Sequence, residues 1–263
     1  MELFDTHVHL DLDPFDPDRP AVLDRARAAG VTQMVLPGVT RERWADMDAL
    51  TRREPGLYVA RGLHPVFLEQ HADADLDALD AALDADPQAV AVGETGLDGF
   101  VAGLDFDTQW RFYTAQLAIA HNHDLPVILH CRRAVDAILK GLRQHPGVTA
   151  ILHSFSGSEQ QARQAVDLGC VLGFGGPVTF DRARRLQRIV RDLPEEALVL
   201  ETDAPDQPLA GHRGERNEPA MIAGVNAAVA RLRNTDPVST AILTTRNARR
   251  VFRLDTVRTN ERH

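Results

Sequence analysis

Six side chains in this sequence are of the types that hold divalent cations: His7, His9, Glu94, His130, His153 and Asp203. Each closes or follows a short apolar run. His7 and His9 lie at the end of the opening run LFDT, and Glu94 follows AVAVG. His130 closes LPVIL, His153 closes TAIL and Asp203 closes LVLET. Residues i and i+2 of a strand face the same side, so the imidazoles of His7 and His9 can reach one ion. A carboxylate at a buried strand end is costly unless it is paired or coordinated. The two oxygens of Glu94 can bridge two ions about 3.5–4 Å apart. Asp203 can both ligate and take a proton from an attacking water. Glu201 falls on the same face two residues earlier and reads as support behind the ligands. Asp5 either orients a histidine ligand or makes a buried polar contact near the N-terminus.

Ligands spread over nearly 200 residues meet only if the fold gathers them, and the apolar pattern supplies such a fold. Candidate strands are Leu3–Val8, Gln33–Leu36, Leu57–Arg61, Ala89–Gly93, Pro126–Leu129, Thr149–Leu152, Cys170–Gly173 and Ala197–Leu200. Between them lie helical patterns such as Arg19–Ala29, Arg41–Arg53, Leu76–Ala85, Thr108–His121, Ser158–Asp167 and Ala183–Asp192. Ala220–Arg233 and Val238–Phe252 close the series. Eight strand–helix alternations predict an α/β protein with a parallel sheet. The length of 263 residues suits a single-domain (β/α)₈ TIM-type barrel, which takes about 250. Such barrels place the active site at the C-terminal strand ends, where all six ligands fall. The alternative, an open doubly wound sheet, carries a Gly-rich phosphate loop after its first strand; here that place is a His-rich segment. Residues 1–255 are expected to form the barrel and residues 256–263 a disordered tail.

Hydrophobic residues make up 44% and charged residues 25%, so the core can be large and needs no structural metal. The formal net charge of −9 argues against a broad nucleic-acid-coating surface, which needs a basic footprint. It leaves room for a strand end or a small phosphate ester in a local basic pocket. Two cysteines, Cys131 and Cys170, form no CxxC and no disulfide framework, which fits a reducing cytoplasm. The N-terminus MELFDTHVHL lacks a basic segment and a long apolar stretch, so neither a signal peptide nor a membrane span is expected.

Several ordered segments together carry a family resemblance. DTHVHLD, GLHP, AVGETGLD, LPVILHCRRA, ILHSFSGS, LGFGGPVTF and LVLETDAPDQPL resemble the TatD family of metal-dependent hydrolases, within the amidohydrolase-like barrels. The likeness runs from residue 3 to about residue 252, and GGPVTF and APDQPL resemble the YjjV-like members most. It implies a two-metal centre and phosphodiester hydrolysis, described as deoxyribonuclease activity. It carries ligand roles onto the same six residues. It also gives His64, in GLHP, a role as phosphate contact or proton donor; read alone, His64 is a histidine in the loop after the third strand. Many related barrels bridge their metals with a carbamylated lysine. The single lysine here, Lys140, sits inside a helical pattern, which leaves Glu94 as the bridge. The chain departs from the commoner family pattern at Cys131, which is expected to be a small buried residue and no nucleophile.

The mechanism expected from these residues is metal-activated attack of water on a phosphodiester. His7, His9, Glu94 and Asp203 would hold one divalent ion and Glu94, His130 and His153 a second. Asp203 would accept the proton, with Glu94 and His64 also catalytic. Mixed histidine and carboxylate ligands suit Zn, Mn, Fe or Ni, while Mg prefers oxygen. Arg132, Arg213 and Arg216 are the basic residues expected near the substrate. The last two lie in HRGERNEP after the eighth strand, which reads either as a phosphate loop or as a solvated loop. Phe155 and Phe174 read as stacking faces or as core. The GFGG run reads as a turn that lets backbone approach the site. The partner is expected to be a DNA strand end or a small phosphoester, with no membrane, and the protein a monomer. Hydrolysis of a small amide, lactone or phosphoester by the same centre is the alternative activity. A binding protein that has lost catalysis is a third reading, and the complete ligand set speaks against it.

Overall fold

In the computed structural model, which describes residues 1–86 and 88–255, the expected alternation is realised as eight parallel strands hydrogen-bonded in sequence order. The strands are β1 (Leu3–Asp5), β2 (Val31–Pro37), β3 (Leu57–Arg61), β4 (Ala91–Asp98), β5 (Val127–Arg132), β6 (Ala150–Leu152), β7 (Val171–Phe174) and β8 (Leu198–Leu200). The first seven connections carry α1 (Arg19–Ala28), α2 (Trp44–Arg53), α3 (Ala74–Ala85), α4 (Phe106–Asn122), α5 (Val135–Gln144), α6 (Glu159–Asp167) and α7 (Arg184–Asp192). Two helices, α8 (Ile222–Leu232) and α9 (Pro237–Val251), follow β8. The end of β8 meets the end of β1: Thr6 N donates to Leu200 O at 3.1 Å and Asp203 N to His7 O at 2.9 Å. The sheet thus curls round to a nearly closed TIM-type barrel. The tail expected at residues 256–263 lies outside the described residues. No helix among the described residues is long and apolar enough to cross a membrane.

Strand alternation sorts the core into two layers. Phe4, Val35, Ala60, Ile128, Ile151, Val171 and Val199 form a small separate cluster with Ala248, Val251 and Phe252 from the end of α9. Their strand neighbours, such as Val127, Leu129, Ala150, Leu152, Leu198 and Leu200, belong to the larger cluster shared with the helices. The small cluster is therefore the barrel interior, as the period of two requires. The phenyl rings of Phe4 and Phe252 stack at 5.8 Å across it. Two steps further along the same strands, Ile128 gives way to His130, Ile151 to His153 and Val199 to Glu201. Packing at one end and polar chemistry at the other are written on the same inward faces.

Strands β1, β4 and β5 depart most from the sequence expectation, all three at the site; β5 runs on past Leu129 to Arg132. β1 stops at Asp5 instead of reaching Val8. Beyond it the backbone bonds outward to both neighbours in turn, Val8 N to Val35 O and His9 N to Ala204 O, which breaks the regular ladder. β4 runs on to Asp98, past the expected end at Gly93. Its register with β5 passes from Val92↔Val127 to Thr95↔Leu129, so β4 holds one extra residue. Bulges of this kind re-aim side chains beside active sites, and this one contains Glu94.

Candidate metal centre

Glu94 is 2% exposed and lies at the centre of the histidines. Its Oε2 is 3.1 Å from His7 Nε2 and 3.6 Å from His9 Nε2. Its Oε1 is 3.0 Å from His130 Nδ1, 3.1 Å from His64 Nε2 and 3.5 Å from His153 Nε2. One carboxylate thus turns one oxygen to each of two sets of imidazoles. Asp203 closes the first set, with Oδ1 3.5 Å from His7 Nε2 and 3.7 Å from His9 Nε2. It stands in the left-handed region with φ of 57°, while Gln207 Nε2 donates to its other oxygen at 2.5 Å.

The donor set fits a cation better than a hydrogen-bond network. His7 Nε2 and His9 Nε2 face each other at 3.2 Å, so at most one proton can serve both, and His7 Nδ1 is buried without a partner. Ligand bonds of about 2.0–2.2 Å place tetrahedral ligand atoms about 3.3–3.6 Å apart. The separations of His7 and His9 from each other and from Glu94 and Asp203 run from 3.1 to 3.7 Å. Without a cation, burial dominates the titration of these groups. It pushes Asp203 up to about 7, and it holds His7 and His9 neutral, His9 down to about 4. Burial opposes the charge on Glu94 too, but the imidazoles of His64, His7 and His153 overcome it and keep the carboxylate ionised.

A second ring of side chains holds the first. Asp98 Oδ2 lies 2.8 Å from His130 Nε2, while its Oδ1 accepts from Phe100 N and Val101 N at 2.7 and 2.8 Å. A histidine that gives its Nε2–H to Asp98 presents the Nδ1 lone pair to the site, the usual carboxylate–histidine support of a metal ligand. Glu201 Oε1 lies 3.2 Å from His153 Nδ1 and accepts from Ser154 N. Gly173 makes room for Glu201, since a Cβ there would sit 2.2 Å from its Oε2. That close approach is what the GFGG run supplies. Asp5 touches neither imidazole. It accepts from His7 N, Thr202 N and the Thr202 hydroxyl, joining the ends of β1 and β8.

His64 differs from the other histidines in its proton. Its Nδ1 accepts from Val66 N at 3.0 Å, so the neutral ring carries its hydrogen on Nε2, the atom facing Glu94 and His130. A protonated nitrogen donates a hydrogen bond and cannot ligate. Although His64, Glu94 and His130 lie close enough to surround an ion, this tautomer makes His64 a donor.

These groups open on a cavity of about 660 Å³ lined also by Arg132, Cys131, Ser154, Phe155, Phe174 and Gln207. Arg132 reaches it, with its guanidinium 3.7 Å above the Phe100 ring. Arg213 and Arg216 are not among its lining residues, contrary to the sequence expectation. Arg216 instead donates to both oxygens of Asp18 at 2.7 and 2.8 Å and to Pro14 O. The acidic β1–α1 loop satisfies this guanidinium and ties down the loop after β8. Phe155 and Phe174 are core, 2% and 1% exposed. Cys131 is buried, and burial pushes its thiol up to about 12, so it carries no thiolate. Lys140 lies on α5 over the Trp110 ring. Asp98 and Gln207 were missed in the sequence. Asp98 falls in TGLDG, which reads as turn residues although β4 continues through it, and Gln207 carries no pattern of its own.

An eight-stranded barrel with histidines and carboxylates gathered at its mouth defines a metal-dependent hydrolase. The model of TatD-related DNases matches residues 4–253. The chain is 43% identical over 243 residues to the uncharacterized metal-dependent hydrolase YjjV of Escherichia coli K12, covering 91% of this chain and 94% of the relative. It is 36% identical over 266 residues to the 3'-5' ssDNA/RNA exonuclease TatD of Salmonella typhimurium, covering 95% and 98%. The crystal structure of the E. coli YjjV protein superimposes with a TM-score of 0.92 at 41% identity, over 95% of this chain and 98% of that one. The chain belongs to the TatD family of metal-dependent hydrolases.

Proposed function

We propose that the chain hydrolyses phosphodiesters at the end of a DNA strand, working as a cytoplasmic monomer with residues 1–255 as one catalytic unit. His7, His9, Glu94 and Asp203 would hold one divalent cation, and Glu94, His130 and His153 a second. Bound there, the pair would polarise the phosphoryl oxygens and lower the pKa of the attacking water. The observation that carries this reading is Glu94, with Oε2 toward His7 and Oε1 toward His130 and His153. The substrate class is supported by the relatives named as exonucleases and by Arg132 at the cavity wall.

The chain's own side chains divide the work. Asp203 takes a proton from the water through Oδ1, while Gln207 fixes Oδ2. The water oxygen forms a bond to phosphorus and the ester oxygen leaves. The proton held by Asp203 is then available to that oxygen, so water and diester become monoester and alcohol. His64 stays neutral and donates a hydrogen bond from Nε2–H to a phosphate oxygen as charge develops there. Asp98 and Glu201 keep His130 and His153 turned inward.

The test is hydrolysis of single-stranded oligonucleotides by enzyme stripped with chelator and reloaded with Mn or Zn. Wild-type turnover should vanish on stripping and return on reloading. Glu94→Ala and Asp203→Ala should each lower reloaded turnover by about a hundred- to thousandfold, with metal analysis showing fewer bound ions in Glu94→Ala. Chelator-resistant turnover, equal in both variants and wild type, overturns the proposal.

A further inference from the structure

Beside the metal centre lies a second cavity, of about 490 Å³, whose walls include Phe106, Arg133, Ser156 and Arg185. It adjoins the first directly. Ser156 lines both. Arg132 faces the first and Arg133 the second, and their guanidinium groups lie 3.7 and 4.6 Å from the centre of the same Phe100 ring. Arg185 donates to Ser156 O at 2.9 Å, on the ridge between the two.

Two features set this cavity apart. The first is its cations. In a chain of net charge −9, arginines in many places are neutralised by carboxylates, as Arg19, Arg25, Arg43, Arg61, Arg111 and Arg216 are. Arg132, Arg133 and Arg185 are exposed, and among the described residues none of the three is in an ion pair. Asp136, the acid in this wall, takes Gln161 Nε2 at 2.9 Å. The second feature is aromatic. Phe100 and Phe106 are each 46% exposed, and they are the exposed phenylalanines among the described residues. Exposed rings cost hydration, and here both stand beside uncompensated guanidinium groups.

Unpaired cations with accessible rings are what a single nucleic-acid strand requires: positive charge for its phosphates and faces for its bases. We infer that this cavity is a strand-binding subsite, which takes the nucleotides next to the one held at the metal centre. Phe106 is the stacking face, and Arg133 and Arg185 are the phosphate contacts. The inference rests on the proposed phosphodiesterase reading and extends it: the enzyme should grip a strand over several nucleotides instead of recognising a lone diester. A local pair of cavities also resolves how an acidic protein can hold a polyanion.

Two measurements test it. In the first, metal-loaded enzyme hydrolyses a dinucleotide and a six-nucleotide single strand. For wild type KM should fall with length, and Phe106→Ala combined with Arg185→Ala should cut that fall about fivefold or more. Arg52→Ala, on α2, should leave the length dependence as in wild type. In the second, anisotropy of a fluorescent six-nucleotide strand is followed in chelator, where no turnover occurs. The double variant should bind more weakly, and Arg133→Ala with Arg185→Ala should flatten the dependence of log K on log salt by about 1. Equal KM for both lengths in wild type, or full retention of length gain and strand affinity in the variants, overturns the subsite. If no diester of either length is cleaved by loaded enzyme, the phosphodiesterase reading fails; strand affinity sensitive to Phe106 and Arg185 would still support the cavity as a strand site, and insensitive affinity would end both.

Discussion

The two ends of the barrel interior are built from the same strands and do opposite things. At the closed end, Ile128, Ile151 and Val199 pack with Phe4 under Phe252, and all are nearly or wholly inaccessible to water. Two residues further along, the same inward faces carry His130, His153 and Glu201, whose buried polar atoms require partners: Asp98 stands behind His130 and Glu201 behind His153. Apolar packing satisfies itself at the closed end. At the mouth, burial sets neighbouring groups against each other, emptying His7 and His9 of protons while raising Asp203. The difference shows how a barrel separates stability from chemistry along the strand axis, so that each can be perturbed alone.

The largest effect is expected at Phe252, beneath the closed end of the interior. Its truncation to Ala opens a hole under the interior and should cost about 3–5 kcal/mol, read as a lower urea midpoint, while kcat of metal-loaded enzyme stays near wild type. Loss of turnover without loss of stability would show that the two ends are coupled. Asp98→Asn acts at the mouth alone. The amide oxygen can keep the bonds from Phe100 N and Val101 N, but the –NH₂ meets His130 Nε2 and turns its lone pair away from the site. Metal affinity should drop about 10- to 100-fold with the urea midpoint nearly unchanged; unaltered metal titration would remove Asp98 from the support of His130.

The smallest effect is expected outside both regions, where Arg216 and Arg25 hold Asp18 down to about 2. A carboxyl lowered on folding contributes stability above its unfolded value near 4 and loses it as pH falls toward 2. Asp18→Asn should therefore differ slightly from wild type in stability at pH 7, and the difference should shrink through that acid range, with turnover unaffected. A change in turnover would return the loop after β8 to the substrate path.

The apolar pattern specified the strand order, the helical partners and six candidate ligands at the mouth, although Glu94 and His130 stand inside β4 and β5 and not at their ends. These are local properties: a period of two fixes which face a residue takes, and a histidine that follows an apolar run is carried to the mouth wherever the barrel closes. The family likeness was legible for the same reason, since the motifs sit at that mouth. Tertiary structure alone decided what depends on distances between loops. It set the bulge that aims Glu94 at both sets of histidines, the Val66 N–H that makes His64 a donor, and the acid that claims Arg216. It also drew Asp98 behind His130. No spacing encodes these choices, because each is a competition between partners far apart in the chain and settled only when the barrel brings them within a few ångströms.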